Sequence, residues 1–257
     1  MIELAAKNGA GIVAMPELAF WPWFPAKIDK QAFHLAEPAD GPIIETTCKI
    51  AAEFSVAIIC PLFESDPKGT FFNSAVTIDA KGSVLGKYRK AHVPQLPSWE
   101  EKFYFAAGDN GFPVFSACSL NFGVLIGWDA FFPEAARALT LSGAKLIFYL
   151  TAATSANQDV WERALSAMAL YNGNYIIRVN RTGGKEPSFG GGSFGMDPLG
   201  ELLDHPANDQ EGVMLFSIHT DAVDLHRKEW PFIRDRRPDA YRVLVESEME
   251  KREGTKE

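Results

Sequence analysis

The stretch Leu120 to Glu134, LNFGVLIGWDAFFPE, constrains the fold more than any other. Its apolar run Phe122 to Ile126, interrupted only by Gly123, is short and bounded by polar residues, as a strand buried on both faces would be. It ends in the tight turn Gly127-Trp128-Asp129. Pro133 then sits where a first-turn proline is tolerated, Glu134 suits the positive end of a helix dipole, and Ala135-Ala136-Arg137-Ala138-Leu139 has high helix propensity. Strand, turn and helix in that order belong to open α/β sheets, where ligands and catalytic groups collect at the carboxyl ends of strands. The Gly127 turn is therefore a first candidate site, set against the plainer reading of a glycine that only makes the turn.

The remainder of the chain repeats the alternation. Met1 to Asn8 reads as the end of a helix stopped by Gly9, and Gly11 to Met15 as a buried strand broken by Pro16, which leaves Glu17 at its carboxyl end. Pro42 to Phe54 reads as an amphipathic helix and Val56 to Phe63 as a strand, with Cys60 a core residue inside it. Phe71 to Asp79 and Gly82 to Tyr88 form a hairpin around Ala80-Lys81, followed by the basic cluster Lys87, Arg89, Lys90, which on spacing alone is a solvated edge that discourages strand pairing. Phe112 to Phe115, Lys145 to Leu150, Tyr175 to Val179 and Gly212 to Ile218 read as further strands, and Trp161 to Tyr171 as a helix facing inward through Trp161, Leu165, Met168 and Ala169. This alternation predicts a layered α/β fold.

Trp21-Pro22-Trp23-Phe24-Pro25 is too rigid and apolar for a solvated linker and is expected to wall a pocket or an interface. Gly190, Gly192 and Gly195 match G-x-G-x-x-G by letter, but Pro198-Leu199-Gly200-Glu201 follows instead of a helix, so no dinucleotide site is expected. Asn180-Arg181-Thr182 is a glycosylation sequon by letter, expected to be silent, and the tail after Trp230 carries Arg234, Asp235, Arg236 and Arg237 before Pro238 and then reads as a highly charged helix.

With 257 residues and 47% hydrophobic content, the chain can bury a substantial core. A formal charge of −8 leaves no basic stripe for nucleic acid and points to a small-molecule partner. Three scattered cysteines, Cys48, Cys60 and Cys118, suggest neither a disulfide framework nor a zinc site and fit a reducing, cytoplasmic setting. No run approaches the ~20 apolar residues that span a bilayer, no leader is read, and the histidines show no metal-ligand spacing, so no membrane and no metal are expected.

Three pieces stand together: Pro16-Glu17-Leu18, Gly86-Lys87-Tyr88-Arg89-Lys90, and Trp128-Asp129-Ala130-Phe131-Phe132-Pro133-Glu134. In that order the chain resembles the nitrilase, or carbon-nitrogen hydrolase, superfamily, whose active site is a Glu-Lys-Cys set. Glu101-Lys102-Phe103-Tyr104-Phe105, Gly108-Asp109 and Arg234-Asp235-Arg236-Arg237-Pro238 look most like its N-carbamoylputrescine amidase branch. The resemblance implies an α-β-β-α sandwich over residues 1–257. It implies Glu17 as general base, Lys90 as oxyanion-stabilising cation and Glu101 as auxiliary acid. Trp21, Trp23, Trp128, Phe131 and Phe132 are expected near the pocket as water-excluding walls, set against the equal reading of each as plain core. No metal or cofactor is implied. The substrate would be a small amide or N-carbamoyl amine, and the assembly a homodimer or larger even-numbered oligomer, with the charged tail 230–257 at the subunit interface.

Two departures stand against the family pattern. Its nucleophilic cysteine falls immediately before Trp128-Asp129, where this chain has Gly127. The usual covalent route therefore lacks its thiol, and either an inactivated enzyme or a binding module that keeps the pocket would read this way. The second is at the beginning: family members place a strand and a full helix before the segment matching Gly9 to Glu17, and the chain carries only the end of that helix.

Overall fold

The computed structural model describes residues 1–245. Its first sheet holds β1 (Ile12–Ala14), β2 (Ala57–Ser65), β3 (Phe71–Ile78) and β4 (Val84–Arg89) in that spatial order, β1 and β2 parallel and the others antiparallel. The second holds β5 (Val114–Ala117), β6 (Leu120–Ile126), β7 (Leu146–Thr151), β8 (Tyr175–Asn180) and β11 (Phe194–Met196), ordered β11-β8-β7-β6-β5. Its central trio β6, β7 and β8 is parallel, and these are the uninterrupted apolar runs that a sheet covered on both faces requires. A small ribbon, β9 (Thr182–Gly183) with β10 (Phe189–Gly190), lies apart from both.

The two sheets face each other: Ile59, Ala75 and Tyr88 of the first share one buried cluster with Phe122, Val124 and Ile126 of the second. Helix α1 (Ile2–Lys7) precedes β1. On the outside of the first sheet, α2 (Pro42–Phe54) packs Ile44 and Ala51 with Ile58, Cys60, Val76 and Ile78. After the single turn α3 (Glu101–Tyr104), the helices α4 (Pro133–Leu141) and α5 (Gln158–Asn172) cover the second sheet, and α6 (Thr220–Glu229) follows. At Gly123 a Cβ would lie 2.5 Å from Leu139, so glycine is what lets α4 settle onto β6. The result is the α-β-β-α sandwich, with β5 and β6 joined through Cys118 and Ser119, both at positive φ as a two-residue hairpin demands.

One expectation needs correction. Gly212 to Ile218 forms no strand. The edge beyond β11 is already taken by the chain returning from the Pro198 turn: Leu202 bridges Met196, and the Leu203 N–H donates to the Gly195 carbonyl at 2.9 Å. With that edge filled, the run only lays side chains such as Ile218 against the core, and Leu215 stays half-exposed. The tail after Trp230 contains two single 3-10 turns, Pro238–Ala240 and Arg242–Leu244; the charged helix expected beyond them lies outside the described residues.

Candidate active site

Three of the four predicted positions stand just past a strand end, and Glu101 opens a helical turn. Pro16 cannot continue the β1 ladder, and the chain turns through Leu18, a fully buried leucine at φ +50°, leaving Glu17 between the sheets. Lys90 follows β4, its N–H still donating to the Asn73 carbonyl on β3 at 2.8 Å. Glu101 opens α3, and Gly127 follows β6 at φ +49°.

These elements bring the three charged side chains together. The Lys90 Nζ donates to Glu17 Oε1 at 2.9 Å and to Glu101 Oε2 at 2.6 Å, and all three residues are 2% exposed or less. The fourth position meets them through geometry alone: a Cβ built on Gly127 would lie 2.7 Å from Glu17 Oε2 and 2.9 Å from Lys90 Nζ. Any side chain there points between a carboxylate and an ammonium. The basic-edge reading of Lys90 fails, since an edge lysine would be solvated.

A buried set of two acids and one base carries an uncompensated negative charge when all are ionised, and burial penalises that charge. Burial pushes Glu101 up to about 7, Lys90 opposing and the nearby Glu17 reinforcing the rise. Lys90 is pulled down by burial but held above its ordinary range by Glu101 and Glu17 together. The set therefore holds a fixed ammonium and a carboxyl whose proton is exchangeable near neutrality.

Two positioning groups are not assigned a role from the sequence. Asn73 donates its Nδ2 to Glu17 Oε1 at 2.7 Å, orienting the carboxylate. Buried Asp129 accepts from the Ile126 N–H at 2.9 Å, the Tyr88 hydroxyl at 2.7 Å, and the His92 N–H and Nδ1 at 3.0 and 2.8 Å. One carboxylate thus fastens the turn bearing Gly127 to the segment bearing Lys90. An Asn inside the strand FFNSAV, where that residue type is disfavoured, was the one local hint.

A cleft of about 370 Å³ has His92, Gln95, Leu96, Lys102, Trp128 and Phe132 in its wall; Lys102 and Trp128 are next in sequence to Glu101 and Gly127, while the charged cluster itself does not line it. The His92 ring lies flat on Phe132, centroids 3.6 Å apart, and its Nδ1 is committed to Asp129. Of the aromatic residues expected near a pocket, Trp128 and Phe132 line this cleft. Phe131 packs between Trp128 and Trp161 at 5.1 and 4.8 Å, while Trp21 and Trp23 belong to the hydrophobic core of the first sheet. Trp23 donates its Nε1 to the Ser98 carbonyl at 3.0 Å and sits edge-on to Phe189. Among the described residues, no group of three or more His, Cys, Asp or Glu could hold a metal ion.

Residues 1–228 match the carbon-nitrogen hydrolase family. The chain is 37% identical to an N-carbamoylputrescine amidase from Solanum tuberosum over 95% of its own length and 87% of that protein's. It is 33% identical to a citrullinase from Francisella tularensis, covering 94% and 88%. A crystal structure of a carbon-nitrogen hydrolase from Helicobacter pylori superposes with a TM-score of 0.90 at 33% identity, over 95% of this chain and 90% of that one. Sheet order, strand-end cluster and these matches agree, and the chain belongs to the carbon-nitrogen hydrolase family of the nitrilase superfamily.

Proposed function

We propose that the Glu17-Lys90-Glu101 cluster is the active site of an amidohydrolase that cleaves a linear carbon-nitrogen bond, in an N-carbamoyl amine or a small amide, with release of ammonia. The observation that carries this reading is the direction of position 127, whose Cβ would enter the gap between Glu17 and Lys90. A thiol there would have a carboxylate to take its proton and an ammonium where an oxyanion develops. Attack on the carbonyl carbon gives a tetrahedral intermediate, with the backbone N–H after position 127 as a second donor. The proton taken by Glu17 passes to the departing nitrogen, ammonia leaves, and water activated by Glu17 hydrolyses the thioester. Glu101, with its proton exchangeable near neutrality, keeps the buried set near charge balance as Glu17 cycles. N-carbamoylputrescine and citrulline, for which two relatives are named, are both N-carbamoyl amines, which supports that substrate class.

The chain as written has Gly127, so this covalent route stops before its first step. A second reading, a binding module that keeps the cleft without turnover, is favoured by the same residue: Glu17 and Lys90 close around the place where a side chain would stand. Ammonia release from N-carbamoylputrescine and from short amides, measured on the Gly127→Cys protein, separates the two. Turnover in the variant and none in the parent supports the hydrolase; a folded, inert variant favours the module. We also infer that the chain pairs with a second copy through its C-terminal segment, a reading supported by exposed Trp230, Phe232, Val243 and Leu244, which sedimentation velocity would test.

A further inference from the structure

Glu17 and Gly127 are carried by different sheets, so their alignment needs a tie between the two. The Arg181 side chain, from the end of β8 in the second sheet, reaches the loop after β1 in the first. Its Nη1 donates to the Leu18 carbonyl at 2.6 Å and to the Glu17 carbonyl at 3.2 Å, and its Nη2 donates to the Trp21 carbonyl at 2.7 Å. The guanidinium also lies 5.3 Å from the centroid of Phe189. The Leu18 carbonyl also accepts from the Trp21 N–H at 3.2 Å, and all three carbonyls turn toward one planar fork whose two terminal nitrogens divide them, a geometry suited to a guanidinium.

The loop needs holding. Leu18 is fully buried at φ +50°, a left-handed conformation that is strained for a leucine, so the loop relaxes elsewhere unless its carbonyls are pinned. Glu17 is consequently fixed at both ends, its carboxylate by Asn73 and Lys90 and its main chain by Arg181. We propose that Arg181 is a positioning residue that keeps the Glu17 carboxylate in register with position 127 across the two sheets. It acts through the backbone and touches neither the cleft wall nor the reacting position. The inference rests on the reading of Glu17 as the base serving position 127.

The test uses the full chain in the Gly127→Cys background and reads the pH dependence of iodoacetamide alkylation of the introduced thiol, followed by peptide mass. This readout needs no turnover. Glu17→Gln sets the profile of a site without the carboxylate. Arg181→Ala is expected to move the profile from the parental curve onto the Glu17→Gln curve, with free guanidinium at millimolar concentration drawing it back. Arg227→Ala removes another arginine that donates to main-chain carbonyls, those of Asn172 and Ala144 at the opposite ends of the strands, and is expected to leave the profile in place whatever it does to melting. Should Arg181→Ala fail to fold, Arg181→Lys, which keeps the charge and loses the fork, is expected to give an intermediate curve. An Arg181 variant that stays on the parental curve while Glu17→Gln departs from it overturns the proposal. If Glu17→Gln itself leaves the curve unmoved, the assignment of Glu17 fails and takes the clamp with it, whereas alkylation that behaves as expected without any ammonia release faults the hydrolase reading alone.

Discussion

Arg89 and Lys90 are consecutive at the end of β4, and each enters a buried ionic cluster of opposite design. On one side Glu64, 1% exposed, is a single carboxylate served by several donors: Arg89 Nη2 and Lys87 Nζ both at 2.5 Å, and the Ser74 hydroxyl at 2.6 Å. Burial pushes Glu64 up, but the hydrogen bonds from Arg89, Lys87 and Ser74 outweigh it and hold the group below its ordinary range. On the other side one ammonium is divided between Glu17 and Glu101, and Glu101 rises to about 7. The ratio of acids to bases decides the outcome. An excess of donors locks a carboxylate in its charged form and makes a brace. An excess of carboxylates leaves one of them with a proton to exchange near neutral pH, which suits chemistry.

The contrast predicts different costs when each cluster is broken. Lys90→Met leaves two carboxylates buried without their cation, and a loss of about 3–5 kcal/mol is expected in urea unfolding. The triple variant with Glu17→Gln and Glu101→Gln should recover most of it, and a triple variant as unstable as Lys90→Met would show that packing, not charge, sets the loss. Next in size is the pH dependence. Because Glu101 is raised from 4.5 to about 7, the folded protein keeps a proton between those values that the unfolded chain has lost. Stability from this group is therefore greatest below pH 4.5 and falls through the window, by on the order of 3 kcal/mol in total. Glu101→Gln should remove that slope, read as the difference between the two proteins at pH 5 and pH 8.

Breaking the Glu64 cluster is expected to cost less, about 1–3 kcal/mol for Glu64→Gln, because Lys87 is 32% exposed and can rehydrate once released. A loss equal to that of Lys90→Met would erase the distinction between brace and site. The smallest effect is expected at the exposed Arg163–Asp159 pair on α5, where Asp159→Ala should leave the melting temperature unchanged.

What the sequence alone made legible follows the range of each interaction. The bounds of α2 were readable from Pro42 to Phe54, because a first-turn proline and the 3.6-residue period lie within the helix itself. The buried strands β2, β6 and β7 were readable as apolar runs, since both of their faces are covered. Gly212 to Ile218 has the same local look, but nothing in its letters reveals that the sheet edge it would join is filled by Leu202 and Leu203. Glu17, Lys90 and Glu101 could be named through a family resemblance. Asn73, Asp129 and Arg181 could not, because each acts on a partner far along the chain: Asn73 on Glu17 across 56 residues, Tyr88 and Asp129 across 41, and Arg181 on Leu18 across 163. A polar letter in a strand or turn says that a partner exists without saying where.

The central claim is that Glu17 serves position 127 although the position is bare. The most direct measurement compares initial rates of ammonia release by Gly127→Cys with and without Glu17→Gln, both proteins checked for folding by circular dichroism. Loss of the general base is predicted to lower the rate by about 10²- to 10⁴-fold. Equal rates in the two proteins would contradict the account.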